Sequence, residues 1–295
     1  DKNVNVCAGE VASPCKRPPV FSYTNGRLPA IIGAMNCIDV DDIQQIAVSA
    51  GAVVLENGGE TYRAEKTVVH TAAALGAIEP SSFITTTVVM VSFFDENRKH
   101  YSYFKRIYKR DINLNKLTMI NSLSRSLERH RRVPDAAFIE RRIAHIGDAK
   151  EYSAAFIVAS AALSSFFFTL LFGGTVVDAL CALFIGGILR IVIRLLGKSA
   201  VNNFFVSLCA GSAASVMTDI LGLTPLPVHS SVVIIGVLMQ VVPGLALVNS
   251  IRDSIAGDFV AGTSRLVDAL LTALALSVGS TAGLLLTHAI EGGVR

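Results

Sequence analysis

From Tyr152 onward the chain is a succession of apolar runs, each close to the roughly 20 residues of helix that cross a bilayer core. The runs fall at 153–172, 177–196, 203–222, 231–250 and 265–289. Their separators are Gly173-Gly174, Gly197-Lys198, Pro225-Leu226-Pro227 and the stretch from Arg252 to Gly262. Charge follows the same division: residues 1–152 hold 20 of the 26 Lys and Arg and 17 of the 23 Asp and Glu, and residues 153–295 hold six of each. At 17% charged residues the whole chain lies below the roughly 25% of soluble domains. The expected fold class is an α-helical membrane protein, with five transmembrane helices over 151–295 preceded by a small α+β cytoplasmic domain over 38–150.

Residues 1–37 mix Pro14, Pro18, Pro19 and Pro29 with Gly9, Gly26 and Gly33 and show little periodicity, so they read as a flexible arm. Helical spacing begins after Asp39, with Ile43, Ile46, Ala47, Ala50 and Val54 on one face, and Gly58-Gly59 closes it. A second amphipathic helix, ETYRAEKTVVHTAAALG, ends at Gly76. SFITTTVVMVSFF (82–94) and HYSYFKRIYK (100–109) are β-branched and aromatic, and the turn residues Asp95, Glu96 and Asn97 between them predict a β-hairpin. Two polar helices follow at about 113–131 and 134–147, the second opening on Pro134.

The distribution of basic residues predicts an orientation. Residues 98–142 carry 13 Lys and Arg against four Asp and Glu, just before the first run. Arg190, Arg194 and Lys198 flank the end of the second run, and Arg252 and Arg265 flank the fourth and fifth. The loops 173–176 and 223–230 contain neither Lys nor Arg. All the basic segments then fall on one side, which the positive-inside rule names cytoplasmic, leaving the C-terminus outside.

Several groups could carry chemistry. Pro243-Gly244 interrupts the fourth run, with Gln240 before it and Asn249 after it. Proline can merely kink a membrane helix, or it can mark a discontinuous helix whose freed backbone groups and half-helix ends face substrate or ions. Arg252, Asp253 and Asp258 read most simply as a solvated loop, with a gate or proton acceptor at the inner mouth as the sharper alternative. Asp268 could pair with Arg265 three residues earlier, and facing lipid would cost it so much that it is expected to face the bundle interior or a cavity. Asp178 and Asp219 fall near the outer ends of their runs. Ser153, Ser160 and Ser164, and the run from Gly279 to Gly283, suit close helix packing. Glu56, Asn57, Glu60 and Arg63, with Tyr62 and Glu65, cluster between the first two helices, where capping and ion pairing are the simplest roles. The basic aromatic strand carrying Tyr101, Tyr103, Lys105 and Arg106 suits anionic lipid better than nucleic acid, given the membrane segments behind it.

The five cysteines form no CxxC pair and have no histidine at zinc-ligand spacing, so neither a disulfide framework nor a metal site is expected. No GxSxG, HExxH, GxxxxGK[ST] or GxGxxG after a strand is present. The expectation is therefore no enzyme, no cofactor and no nucleotide-driven pump.

Two segments carry a resemblance. GAVVLENGGETYRAEKTVVHTAAALG, with the hairpin and RDINLNKLTMINSLSR after it, resembles the cytoplasmic domain of the threonine/serine exporter family. PGLALVNSIRDSIAGDFVAGTSRLVDALL resembles that family's most recognisable membrane segment. The resemblance spans about residues 38–290 and implies export of small metabolites across the bacterial inner membrane, amino acids such as threonine and serine in some members and succinate in others. Single-chain members carry about ten spans, so five imply the larger subunit of the split, two-subunit form. The partners implied are a small membrane subunit of four or five spans and a small-metabolite substrate; anionic lipid is expected from the basic segment, nucleic acid is not, and a higher oligomer stays open. The path would run past Gln240, Pro243, Gly244, Asn249, Arg252, Asp253 and Asp268, with Glu56, Asn57, Glu60 and Arg63 at its cytoplasmic mouth. A different class also fits the composition: a membrane scaffold or sensor whose cytoplasmic domain binds a partner.

Overall fold

The computed structural model describes residues 38–108, 110–129, 135–149, 152–198 and 202–293. The arm expected over 1–37 and the first-turn position of Pro134 lie outside the described residues.

Helix α1 (Val40–Glu56) is the centre of the N-terminal α/β region. Its apolar residues run almost all round the helix rather than along one stripe, because it is covered by α2 (Thr61–Ala74), α3 (Leu114–Arg129), α4 (Ala136–Gly147) and the sheet. Ile46, Val48 and Val54 of α1 are buried with Val68 of α2, Ile120 of α3 and Ile139 of α4.

The sheet departs from the expected hairpin. Residues 82–94 do not form one strand. Thr85 starts a tight turn in which its hydroxyl accepts from the amides of Thr87 and Val88, so the stretch splits in two. Three antiparallel strands result, in the order β1 (Ile78–Ile84), β2 (Val88–Phe94) and β3 (His100–Arg106). Pro80 is tolerated because β1 is an edge strand, and the pairing register shifts between Ile78 and Ser81. Val89, Val91 and Phe93 alternate inward. On β3, Tyr101 stacks on Phe93 and is partly buried, while Tyr103, Lys105 and Arg106 are exposed; Tyr101, Tyr103 and Lys105 share one face of the strand and Arg106 lies on the other.

Among the described residues, four helices are long and apolar enough to cross a membrane: α5 (Ala154–Leu171), α6 (Val176–Lys198), α7 (Asn203–Gly222) and α10 (Phe259–Gly293). The fourth expected span is not a single helix. It consists of α8 (Ser230–Leu238) and α9 (Gly244–Ile255), neither long enough to cross alone. The fifth begins at Phe259 rather than 265, so the separator expected from Arg252 to Gly262 shrinks to a turn at Ala256–Asp258, with Gly257 at φ +97°.

Contacts fix the helix directions. Gly186 of α6 abuts Ala161 and Ser165 of α5, and Gly187 abuts Val158 and Ala162, an antiparallel hairpin. Gly279 lies against Leu208, Gly283 against Ser212 and Ser215, and the Thr287 hydroxyl donates to Asp219 at 2.5 Å. Residue numbers rise together there, so α7 and α10 run parallel. The α8–α9 segment between them therefore returns the chain to the end of the bundle where α7 began, and Ala154 and Gly293 sit at opposite ends. At about 1.5 Å per residue, the 35 residues of α10 measure about 52 Å, well beyond the roughly 30 Å of a hydrocarbon core. The excess lies at its N-terminal end, where α9 and the α/β region pack.

Candidate functional site

Helix α8 enters the bundle from the end opposite the α/β region. There the buried Asp178 carboxylate accepts from the amide and hydroxyl of Thr175, both at 2.8 Å, and from the His229 amide at 2.7 Å. Asp178 thus ties the α5–α6 turn to the start of α8 and is internally satisfied. Thr169 and Ser165 of α5 form the seat of α8: Gly236 lies directly on Thr169, where any Cβ would collide. The buried polar face of α5 carries Ser165 and Thr169. Ser160, which the sequence placed at a helix interface, is exposed, and Ser153 caps α5 by accepting from the Phe156 amide.

The helix ends in the middle of the bundle. Val241 and Val242 both donate to the Leu238 carbonyl, Pro243 has no amide to donate, and its ψ of 53° is far from helical. Helix α9 restarts at Gly244 with no side chain capping its first turn. Gln240 anchors the break: its Nε2 reaches the Gly186 carbonyl at 3.2 Å and the Ser165 hydroxyl at 3.4 Å. Its Oε1 is buried with no hydrogen-bond partner among the described residues. A buried acceptor left unpaired costs about 1–3 kcal/mol.

Helix α9 packs along α10, with Gly262 pressed against Ser250 and Ser254. Their shared end meets the loop between α1 and α2. That loop begins as a helix terminus in which Gly58 (φ +80°) donates to the Leu55 carbonyl and Gly59 to that of Val54. Four consecutive residues then contact the bundle. The Gly58 carbonyl accepts from Asn249 Nδ2 at 3.1 Å, and that of Gly59 from Arg265 Nη2 at 2.7 Å. Glu60 pairs with Arg252. Thr61 gives its amide to Asp253 Oδ1 at 3.2 Å and its hydroxyl to Oδ2 at 3.1 Å.

Asp253 therefore supplies the cap that α2 lacks from its own Glu60. Arg265 Nε lies 3.1 Å from Asp253 Oδ2, and both side chains are withdrawn from solvent, at 12% and 1% exposure. Glu65 on α2 has its carboxyl pushed up, first by burial and then by the nearby charges of Asp258 and Asp253.

Several expectations change here. Asp253 is not in a solvated loop; it is the buried centre of a junction. Arg265 pairs with Asp253, and Asp268 is exposed on α10 rather than turned into the bundle. Glu56 faces the other way: burial raises its carboxyl while Lys105 and Lys116 lower it. Asn57 turns back on its own helix, donating to the Val53 carbonyl at 2.7 Å. Arg63 is exposed and forms no ion pair among the described residues. Of the residues expected at the mouth, only Glu60 meets the bundle through its side chain. Thr61, Ser165 and Gly186 were not singled out, since a lone hydroxyl or glycine carries no local signal of a partner distant in sequence. A groove of about 610 Å³ between α3 and α4, lined by Met119, Leu123, Phe138 and Ile146 among others, lies apart from all of this.

The family model of the threonine/serine exporters, ThrE, matches residues 45–287, a stretch containing both the helix break and the junction. The chain belongs to the threonine/serine exporter family. It is accordingly a multi-pass membrane protein of a transporter family. Comparison with curated proteins and with solved structures gave no match.

Proposed function

We propose that this chain is the larger subunit of a two-subunit, gradient-driven exporter of small metabolites, either amino acids such as threonine and serine or C4-dicarboxylates such as succinate. The observation that carries this reading is the break at Met239–Pro243, where α8 stops inside the bundle and leaves Gln240 Oε1 buried and unpaired. Discontinuous helices of this kind form transporter substrate sites because they offer backbone and half-helix ends where a continuous helix would have none. On this reading α8 and α9 together make the fifth crossing, and the boundary near residue 150 divides a cytoplasmic domain from a membrane domain. The one-sided basic loops support an α/β region in the cytoplasm and a C-terminus outside the inner membrane.

The junction supplies a second function. Glu60, Asn249, Arg252 and Asp253 hold the cytoplasmic domain to α9, so movement of α9 at the break is coupled to that domain. Asp268 faces outward from α10, and its role as the proton-linked group requires the small subunit to cover that face. Anionic lipid around the basic segment 98–142 completes the set of partners.

Uptake of labelled threonine, serine and succinate into inverted vesicles, with and without a co-expressed small subunit, tests the proposal. Wild-type uptake should require both chains. Pro243→Ala should assemble normally but lose uptake, because alanine lets α8 and α9 join into one helix. Full uptake by Pro243→Ala contradicts a path at the break, and uptake by this chain alone contradicts the two-subunit reading.

A further inference from the structure

Two charges inside a spanning helix have no counter-charge among the described residues. Arg190 and Arg194 lie one turn apart on α6, both partly buried. Neither forms an ion pair or a side-chain hydrogen bond among the described residues, and Arg194 Nη1 is buried with no partner. Their place along the helix is defined by Gly186, whose carbonyl holds Gln240 at the break. Arg190 is four residues on and Arg194 eight, so they lie about 6 and 12 Å from that anchor, toward the end of the bundle that holds the α/β region.

Flanking arginines of membrane helices usually extend their guanidinium to the headgroup layer, which satisfies the charge. Arg194 lies four residues from the helix end at Lys198 and is well placed to do so, yet its Nη1 is enclosed by protein. A guanidinium in that setting is expensive unless an anion meets it. Of the acidic side chains on the bundle helices, Asp178 is engaged with His229 and Thr175, Asp219 with Thr287, and Asp253 with Arg265 and Thr61, while Asp268 is exposed on α10.

We propose that Arg194, assisted by Arg190, is the carboxylate-binding site of the transport path. The guanidinium fork receives the substrate carboxylate on the cytoplasmic side of the break, and the unpaired Gln240 Oε1 further in receives a donor group of the same substrate as it advances. Planar bidentate pairing suits a carboxylate and gives arginine an advantage over lysine at this position. The proposal rests on the exporter reading for its direction of transport, but binding can be measured without transport.

The test uses the assembled complex in nanodiscs of phosphatidylcholine alone, with equilibrium binding of labelled threonine and labelled succinate. Threoninamide and succinamide, which lack the carboxylates, serve as competitors. The expected result is saturable binding of at least one acid, weak competition by its amide, a loss of about tenfold or more in affinity for Arg194→Gln, and a smaller loss for Arg194→Lys. Arg190→Gln provides an independent variant with the same direction of effect.

Unchanged affinity in both glutamine variants overturns the proposal, as does equal competition by the amides. It is also overturned if the wild-type complex binds neither acid but retains anionic phospholipid in a manner that Arg194→Gln abolishes, which would assign the pair to lipid phosphate. Carboxylate binding that depends on Arg194, in a complex that moves no substrate, would support this site and refute the exporter reading alone.

Discussion

Replacing Asp253 with alanine should release the α/β region from the bundle. The carboxylate is 1% exposed and faces Arg265, which is itself 12% exposed, so truncation leaves a largely buried cation and an uncapped α2 amide. Removing one partner of a buried pair costs about 3–5 kcal/mol. Arg265 keeps its bond to the Gly59 carbonyl, which places this case near the lower bound, about 3 kcal/mol. At 1.4 kcal/mol per decade, the junction should open about 100-fold more often. Hydrogen exchange read by mass spectrometry on peptides covering 57–61 reports that opening, and the Thr61 amide should lose protection by about that factor. Arg252→Ala provides the contrast. Its pair with Glu60 is more than half exposed on the arginine side, and exposed pairs contribute about 0–1 kcal/mol, so exchange should rise only a few-fold. Unchanged protection in Asp253→Ala, or equal effects from the two variants, would refute this account of the junction.

Other outcomes follow from the same geometry. The Glu65 carboxyl is raised by burial and by Asp258 and Asp253, so the folded state binds its proton more tightly than the unfolded chain does. Its contribution is fully present below the unfolded value and is lost as pH rises through the folded one. Glu65→Gln should flatten the pH dependence of thermal stability above pH 4.5, measured in detergent. Gly262→Ala should separate α9 from α10, because the new methyl meets Ser250 and Ser254; cross-linking between cysteines at 251 and 266 would record the loss. Asp268→Asn should leave thermal stability unchanged while abolishing gradient-driven uptake by the two-chain complex, and normal uptake with an unchanged pH profile would move the coupling group elsewhere.

Parts of this architecture are legible in the sequence for identifiable reasons. The lengths of α5, α6 and α7 are set by apolar runs bounded by glycine, lysine or proline, so composition alone defines them to within two residues. Pro243 is visible as an interruption, but its consequence depends on Thr169, Ser165 and Gly186, which seat α8 and anchor Gln240 from two other helices. The extra strand was hidden because residues 82–94 are uniformly β-forming, and only the Thr85 hydroxyl turning onto two following amides reveals the bend. Arg252-Asp253 reads as a polar loop because nothing local shows that Thr61, 192 residues earlier, donates both its amide and its hydroxyl to Asp253. Arg190 and Arg194 register in the sequence only as signals of orientation; the burial of Nη1 without a partner is a property of the packed bundle.

On the proposed function, substrate passes the break between α8 and α9. The most direct test is the reactivity of a single cysteine at Val241→Cys, in a chain whose five native cysteines are replaced, assembled with the small subunit. The account predicts reaction with a membrane-impermeant maleimide applied from the cytoplasmic side, slowed when threonine or succinate is present, and no reaction at Ile235→Cys on the exposed flank of α8. A cysteine at 241 that stays unreactive from both sides, or reacts at a rate no substrate alters, would contradict it.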